Sequence, residues 1–373
     1  MLWFVSQNTF NCGKTKYKGE VIIMSTLNNK QQNQNQNQII PVFFSSDDNY
    51  IPYLAVSIRS LIDTTPLKQK VCVYVLNEHL KIENMFALKK METRNIKIKF
   101  VNVSNKIKAI RDKLVAQLRD YYSPSIYYRI FIASLFPKLD KAIYLDCDIA
   151  IVDNIAKMYN KDLGNNLVGA VVDEIVNSNI QFKTYVQEAV GIDADKYFNS
   201  GILLMNLKEF REQSIEEQFI YYLNNYPFSS LCPDQDYLNF LCKNKVLYME
   251  KGWDKMTVED SEFDEKDLYL VHYNMFKKPW KYYDVMFDKY FWQAARKTEF
   301  YTLLLKQRDS YTEEQRQKDY QAAANMISYS SKVVADSNNF KKSIEKNPPK
   351  VSDILKTTSA KTFKVKAKGT ATV

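Results

Sequence analysis

From Ile39 onward the chain alternates short apolar runs with longer segments in which apolar residues recur every three to four positions. The first pattern marks buried strands and the second amphipathic helices. Ile39–Ser45 (IIPVFFS) reads as a strand, Ser46-Asp47-Asp48-Asn49 as a turn, and Ile51 to Ile62 as a helix. The alternation continues with a strand over 70–76, a helix over 81–93, a strand over 96–103 and a helix over 106–119. Tyr127 to Leu135 reads as a buried helix and KAIYLDCDIAIV, residues 141–152, as the next strand. Later strands are expected at 167–172, 201–205 and 268–272, and helices at 207–224, 234–243, 284–296 and 312–328. Strands and helices in alternation predict an α/β domain with a mostly parallel central sheet covered by helices on both faces. No internal repeat interrupts this pattern.

Outside that body the pattern fades. Residues 28–38 are the polar run NNKQQNQNQNQ, which has no apolar surface to bury and reads as a linker. Residues 1–38 are therefore expected to be a disordered extension, 39–306 the folded domain, 307–340 a helical extension and 341–373 a basic disordered tail. The tail carries nine lysines against Glu345 and Asp353, so most of the formal net charge of +9 sits there and the body is nearly neutral. A neutral body with a basic arm argues against a nucleic-acid-binding fold; the arm suits a solvated tail or a peripheral contact with an anionic membrane. Five cysteines without any C-x-x-C point to a reducing, cytoplasmic setting. No apolar stretch approaches the roughly 18 residues that a membrane span needs.

Composition removes several chemistries. The eight glycines form neither a dinucleotide fingerprint nor a phosphate-binding P-loop. His79 and His272 are the only histidines. A metal site must then rest mainly on carboxylates, which favours a hard ion such as Mg²⁺ or Mn²⁺. Three D-x-D pairs occur, Asp146/Asp148, Asp193/Asp195 and Asp234/Asp236, and only the first follows an apolar strand-like run. On an extended strand, residues i and i+2 share a side about 6.5–7 Å apart, so Asp146 and Asp148 are expected to converge on one ion. They would do so at the carboxyl edge of the sheet, where open α/β folds bind ligands. His272 ends another apolar run, LYLV, and is followed closely by Lys278-Pro279-Trp280.

In order along the chain, FSSDDNY (44–50), YYR (127–129), YLDCDI (144–149), FNSGILLMN (198–206), DQDYLN (234–239) and HYNMFKKPW (272–280) resemble the retaining glycosyltransferases of family 8. The resemblance covers about residues 39–306 and implies a GT-A fold, a UDP-galactose or UDP-glucose donor, a glycan or glycolipid acceptor, and Mn²⁺. It implies that Asp47 and Asn49 hold the uracil and ribose, with Tyr50 stacking on the base, and that Asp146, Asp148 and His272 are the metal ligands. Arg129 matches a position that orients donor-site carboxylates. Asp173, Asn199, Asp234 and Gln235 match the pocket for the transferred sugar, and Lys278 a residue that holds the diphosphate. Where the family pattern usually has glycine after the histidine-tyrosine pair, this chain has Met275; Lys277 or Lys278 would compensate.

Gln235 is a neutral amide and a poor nucleophile, so same-face attack is the expected route to retention, with Asp173 or Asp234 as a transient nucleophile the runner-up. A sugar-1-phosphate nucleotidyltransferase would need a glycine-rich basic turn near the first strand, which FSSDDNY does not provide. Two readings stand beside external transfer in surface-polysaccharide synthesis: a non-catalytic glycan-binding scaffold, and a glycogenin-like protein that glucosylates itself.

Overall fold

The computed structural model describes residues 38–108, 110–116, 123–350 and 352–353. The expected N-terminal extension up to residue 37, and the tail beyond residue 353, lie outside the described residues.

Among the described residues ten strands form two sheets: β1 (Ile39–Ser45), β2 (Lys70–Asn77), β3 (Ile96–Asn102), β4 (Lys141–Leu145), β5 (Ile149–Ile151), β6 (Val168–Ala170), β7 (Ile202–Asn206), β8 (Val246–Tyr248), β9 (Lys255–Met256) and β10 (Leu270–His272). The main sheet has the order β3-β2-β1-β4-β7-β6-β8. It is parallel at β1–β2, β2–β3, β1–β4 and β6–β8, and β7 runs antiparallel to both of its neighbours. Its central strands are continuous apolar runs because both faces are covered. Val42, Phe44, Ile143, Leu145, Ile202 and Leu204 feed one core. Phe43, Ala142, Tyr144, Leu203 and Met205 point into the other, as period-two alternation requires. Pro41 has no N–H to give, and the β1–β4 pairing spans only Val42–Phe43 opposite Ile143–Tyr144.

One expectation from the sequence fails where it matters most. KAIYLDCDIAIV is not a single strand: β4 stops at Leu145, and the chain turns and re-enters as β5 in the small sheet of order β5-β10-β9. Asp146 and Asp148 therefore sit in the turn between two sheets. Apolar residues on both sides hid the break, because each half is buried in a different sheet.

Helix boundaries differ for local reasons. The segment expected as one helix over 207–224 is two, Leu207–Glu212 and Ile215–Asn225, parted by Ser214 in the left-handed region at φ 54°. Within the helix expected over 106–119, the described residues form Ser104–Ile107 and Arg111–Ala116, and positions 109 and 117–119 lie outside the described residues. Pro124 starts a 3₁₀ turn that runs to Phe131 before four α-helical residues. The polar helix begins at Thr312 with a reciprocal capping box to Gln315 and extends to Ala335, longer than expected.

The boundary expected at residue 341 is also corrected. Phe340–Lys346 is a helix capped by Asn339, whose side chain accepts from the Lys342 N–H. Phe340 is fully buried and stacks on Phe228 at 4.1 Å. Lys341 and Lys342 give their ammonium groups to the carbonyls of Gln187 and Val334. Lysine density suggested solvation, but one aromatic anchor and a cap outweigh it. Among the described residues no helix is long and apolar enough to cross a membrane. Phe340→Ala is expected to cost about 3–5 kcal/mol, the range for a deleted core aromatic, read as a shift in the chemical-denaturation midpoint.

Candidate active site

A cleft of about 630 Å³ opens at the carboxyl edge of the main sheet. β1 ends into Asp47 and β4 into Asp146, and β6 leads to Asp173; antiparallel β7 begins just after Asn199-Ser200-Gly201, so that turn reaches the same edge. β10 of the small sheet adds His272.

Four tethers fix the Asp146–Asp148 turn. The Asp146 N–H donates to the Gly201 carbonyl at 2.8 Å and the Cys147 thiol to the Ser45 carbonyl at 3.1 Å. Ser57 Oγ donates to the Cys147 carbonyl at 2.6 Å, and the Tyr273 N–H to that of Asp148 at 2.9 Å. One ligand atom each from Asp146, Asp148 and His272 lies within 4.8 Å of the others. Gly201 lies against this triad: a Cβ there would sit 2.5 Å from His272 Cε1 and 2.7 Å from Asp146 Oδ2. Two carboxylates and an imidazole, packed over a residue that must lack a side chain, form a donor set that fits a divalent cation with mixed oxygen and nitrogen ligands.

Cations back the acids. Buried Arg129 donates to Asp146 Oδ1 at 2.8 Å, pairs with Asp234 Oδ2 at 3.2 Å, and lies 4.1 Å from the centre of the Tyr144 ring. Lys278 pairs with Asp148 Oδ2. Burial resists ionisation of Asp148, but Lys278 and His272 outweigh it and hold the carboxyl far below the usual range. Burial also opposes charging of His272, yet Asp254 and Asp148 push the imidazole up to about 10.

The adjacent wall is a polar lattice. Asp173 Oδ1 caps the helix Glu174–Ser178 through the N–H groups of Ile175 and Val176, while Oδ2 accepts from Asn199 Nδ2 and Gln235 Nε2. Gln235 Oε1 accepts from the Ser200 N–H at 2.9 Å, and Asn199 Oδ1 from the Gly201 N–H at 2.8 Å. Burial raises Asp234 to about 6; Arg129 opposes this and Asp146 adds to it. At the other end, Asp47 caps a 3₁₀ turn by accepting from the Asn49 N–H. Asp48 faces away, taking the Lys81 N–H and Asn84 Nδ2. Tyr50 is partly exposed at the cleft and meets Tyr53 edge-on at 5.5 Å; Tyr53 stacks on Trp280 at 3.9 Å.

The sequence model for glycosyl transferase family 8 matches residues 41–284. The chain belongs to this family. A relative from Haemophilus influenzae is 30% identical over 235 residues, 63% of this chain and 68% of its own. A lipopolysaccharide 1,2-glucosyltransferase of Escherichia coli is 25% identical over 257 residues, 64% and 72% of the two chains. Among solved structures, the galactosyltransferase LgtC with donor and acceptor sugar analogs aligns over 70% of this chain and 96% of its own, with a TM-score of 0.55 and 24% identity. The bifunctional glycosyltransferase WbbM aligns at TM-score 0.60 and 22% identity over 74% of this chain, which spans about half (52%) of WbbM. These likenesses show the GT-A fold.

Within the family-matched region, every residue to which the resemblance gives a site role lines this one cleft; Lys277, offered as an alternative to Lys278, does not. Met275, at the family's glycine position, has φ 59°. A residue with a side chain adopts this left-handed backbone at a cost of about 1–2 kcal/mol. Asp254 gave no signal in the sequence, lying in the motif-free stretch EKGWDKM, yet its Oδ1 lies 3.0 Å from His272 Nδ1.

Because Asp234 titrates higher in the folded protein than in the unfolded chain, its stabilising contribution is present at low pH and lost as pH rises through about 6. The melting temperature of Asp234→Asn relative to wild type should therefore climb between about pH 4 and pH 6. A flat difference would contradict the assigned direction.

Proposed function

We propose that this chain transfers a hexose, galactose or glucose, from a UDP-sugar to a hydroxyl of a glycan or glycolipid acceptor with retention at the anomeric carbon. The observation that carries the reading is the convergence of Asp146, Asp148 and His272 at the cleft, with Lys278 directly on Asp148. The same proposal includes surface-polysaccharide synthesis, in keeping with the lipopolysaccharide relative, and a cytoplasmic site of action with the basic tail against the inner face of the membrane.

In this reading Asp47, Asn49 and Tyr50 take the uridine at the edge of the Tyr53–Trp280 stack; base stacking on an aromatic ring contributes about 1–3 kcal/mol. Asp146, Asp148 and His272 would hold a divalent ion, Mn²⁺ or Mg²⁺, which when bound neutralises charge developing on the departing diphosphate. Lys278 Nζ, now on Asp148, is within the cleft and adds a fixed positive charge for the same phosphates. Arg129 pairs with Asp146 and Asp234 and orients both from behind. The hexose hydroxyls face Asp173, Asn199, Asp234 and Gln235.

Hydrogen bonding favours same-face attack over a covalent intermediate. Four donors occupy the Asp173 carboxylate, and both ends of the Gln235 amide are engaged. Asp234 Oδ2 is taken by Ser200 and Arg129. A group so restrained is suited to hold sugar hydroxyls and poorly suited to advance on an anomeric carbon. The acceptor's proton then passes to an oxygen of the leaving phosphate, which stays on the same face.

A panel of nucleotide sugars, assayed for Mn²⁺-dependent UDP release, is expected to select UDP-galactose or UDP-glucose. Asp148→Asn should abolish metal-dependent donor hydrolysis, and normal turnover by that variant would refute the metal assignment. Gln235→Ala should lower kcat more than it raises the donor KM, consistent with a residue that orients the sugar at the reacting centre.

A further inference from the structure

The wall behind His272 is built by a segment with no recognisable motif. Lys251–Asp254 is a 3₁₀ turn that leads straight into β9, and β9 pairs in parallel with β10, Lys255 opposite Val271 and Met256 opposite His272. That register carries Asp254 to the buried side of the imidazole. Its carboxylate is fully buried, with Oδ1 3.0 Å from His272 Nδ1 and Oδ2 without a hydrogen-bond partner among the described residues. An orphaned buried acceptor is destabilising. Stability alone gives no reason to keep an acid there.

The rest of the turn holds that acid in place. Gly252 must lack a side chain, because a Cβ would lie 1.8 Å from the Asp267 carbonyl oxygen. The Gly252 carbonyl accepts from the Tyr269 N–H at 2.9 Å, and the Trp253 ring packs against that of Tyr269 at 4.8 Å. Immediately after Asp254, the buried Lys255 ammonium donates to both oxygens of Glu174 at 3.0 Å, and the Met256 N–H donates to Glu174 as well. Glu174 directly follows Asp173. The support of the imidazole is thus tied to the support of the sugar-facing wall.

Imidazole presents its two nitrogens in opposite directions. With Nδ1 committed to Asp254, Nε2 faces the acid pair, 3.4 Å from Asp148 Oδ1. We propose that Asp254 is a positioning residue: by accepting the Nδ1 proton it fixes the ring rotamer and tautomer of His272, so that the Nε2 lone pair is offered to a divalent cation shared with Asp146 and Asp148. This rests on the metal-binding reading above and adds to it a third acid that never touches the ion. Carboxylate partners of ligating histidines act in this way, and their loss commonly weakens metal affinity 10–100-fold.

The test is a Mn²⁺ titration of the full chain without substrate, followed by the paramagnetic resonance of free Mn²⁺, for wild type, Asp254→Ala and Asp254→Asn. Melting temperatures of the metal-free proteins are recorded in parallel. Asp254→Ala should bind Mn²⁺ about 10–100-fold more weakly. Asp254→Asn, whose amide oxygen still accepts the Nδ1 proton, should recover most of that loss. Wild-type affinity in Asp254→Ala overturns the role of Asp254 and leaves the metal site standing. Absence of Mn²⁺ binding in wild type overturns the metal reading and this inference with it. A second measurement needs no variant: side-chain ¹⁵N spectra of wild type loaded with diamagnetic Zn²⁺ should show the His272 proton on Nδ1, and a proton on Nε2 overturns the proposal even if Asp254→Ala fails to fold.

Discussion

Five carboxylates, from Asp146, Asp148, Asp173, Asp234 and Asp254, line or support one cleft, and most of them are shielded from solvent. Gathering so much negative charge out of water is affordable only if each acid meets a cation or several hydrogen-bond donors. Arg129 provides the largest share. Its planar fork reaches Asp146 on one side and Asp234 on the other, and donates to the Ser200 carbonyl besides. A lysine, with a single point of charge, could not bridge that separation while keeping both acids oriented. Lys278 and His272 balance Asp148, and amide and backbone N–H groups balance Asp173. The result is an electrostatic frame in which the carboxylates are paired and held in place, as the proposed cation and sugar-hydroxyl sites both require.

That frame depends on a backbone event between Leu145 and Ile149. The chain leaves the main sheet and joins the small one within three residues, so the two acids project from a turn and not from a pleated strand. A turn has freedom a strand lacks, and the structure removes it with tethers from Ser57, Gly201, Ser45 and Tyr273, drawn from four different segments. β5 pairs antiparallel with β10, and His272 lies opposite Ile149. The histidine is thereby delivered beside Asp148 by strand register. Sheet pairing positions the imidazole and the turn positions the acids; bare Gly201 leaves room for both.

The order of strands and helices was legible because apolar periodicity reports burial, and the cleft residues were legible because six short motifs appear in family order. What the sequence concealed followed from the same physics. KAIYLDCDIAIV reads as one strand since both halves are buried, although in different sheets. Asp234 and Asp236 repeat the spacing of Asp146 and Asp148 but lie on the helix Pro233–Leu241, where i and i+2 diverge by about 200°. Asp234 therefore faces the cleft, while Asp236 takes hydroxyls from Tyr185, Tyr197 and Ser230. Asp193 precedes and Asp195 lies within the 3₁₀ turn Ala194–Lys196, and both side chains are exposed. Identical spacing gave a candidate cation site, a structural anchor and a surface turn, depending on the backbone beneath it. Asp254 was invisible for a different reason: its meaning comes from a contact 18 residues away across a strand pair.

The family-matched region ends at residue 284, yet the cleft does not. The helix Glu313–Ala335 contributes Asp319 and Met326 to its lining. Asp319 pairs with Lys281 and accepts from the hydroxyls of Tyr282 and Tyr311, which binds the helix to the segment just after Lys278. Met326 and Val333 lie seven residues apart on the buried stripe of the helix, in the same core as Tyr185 and Val186. Phe340 then locks the following short helix against Phe228, Tyr222 and Tyr237. One appended helix thus joins the lysine-bearing lip of the cleft to the core behind its Asp173–Gln235 wall, so the separation of those two sides is set by residues beyond the family match. Mutations in that helix act on the cleft through its width, whereas mutations at Asp146, Asp148 or His272 act through its charge.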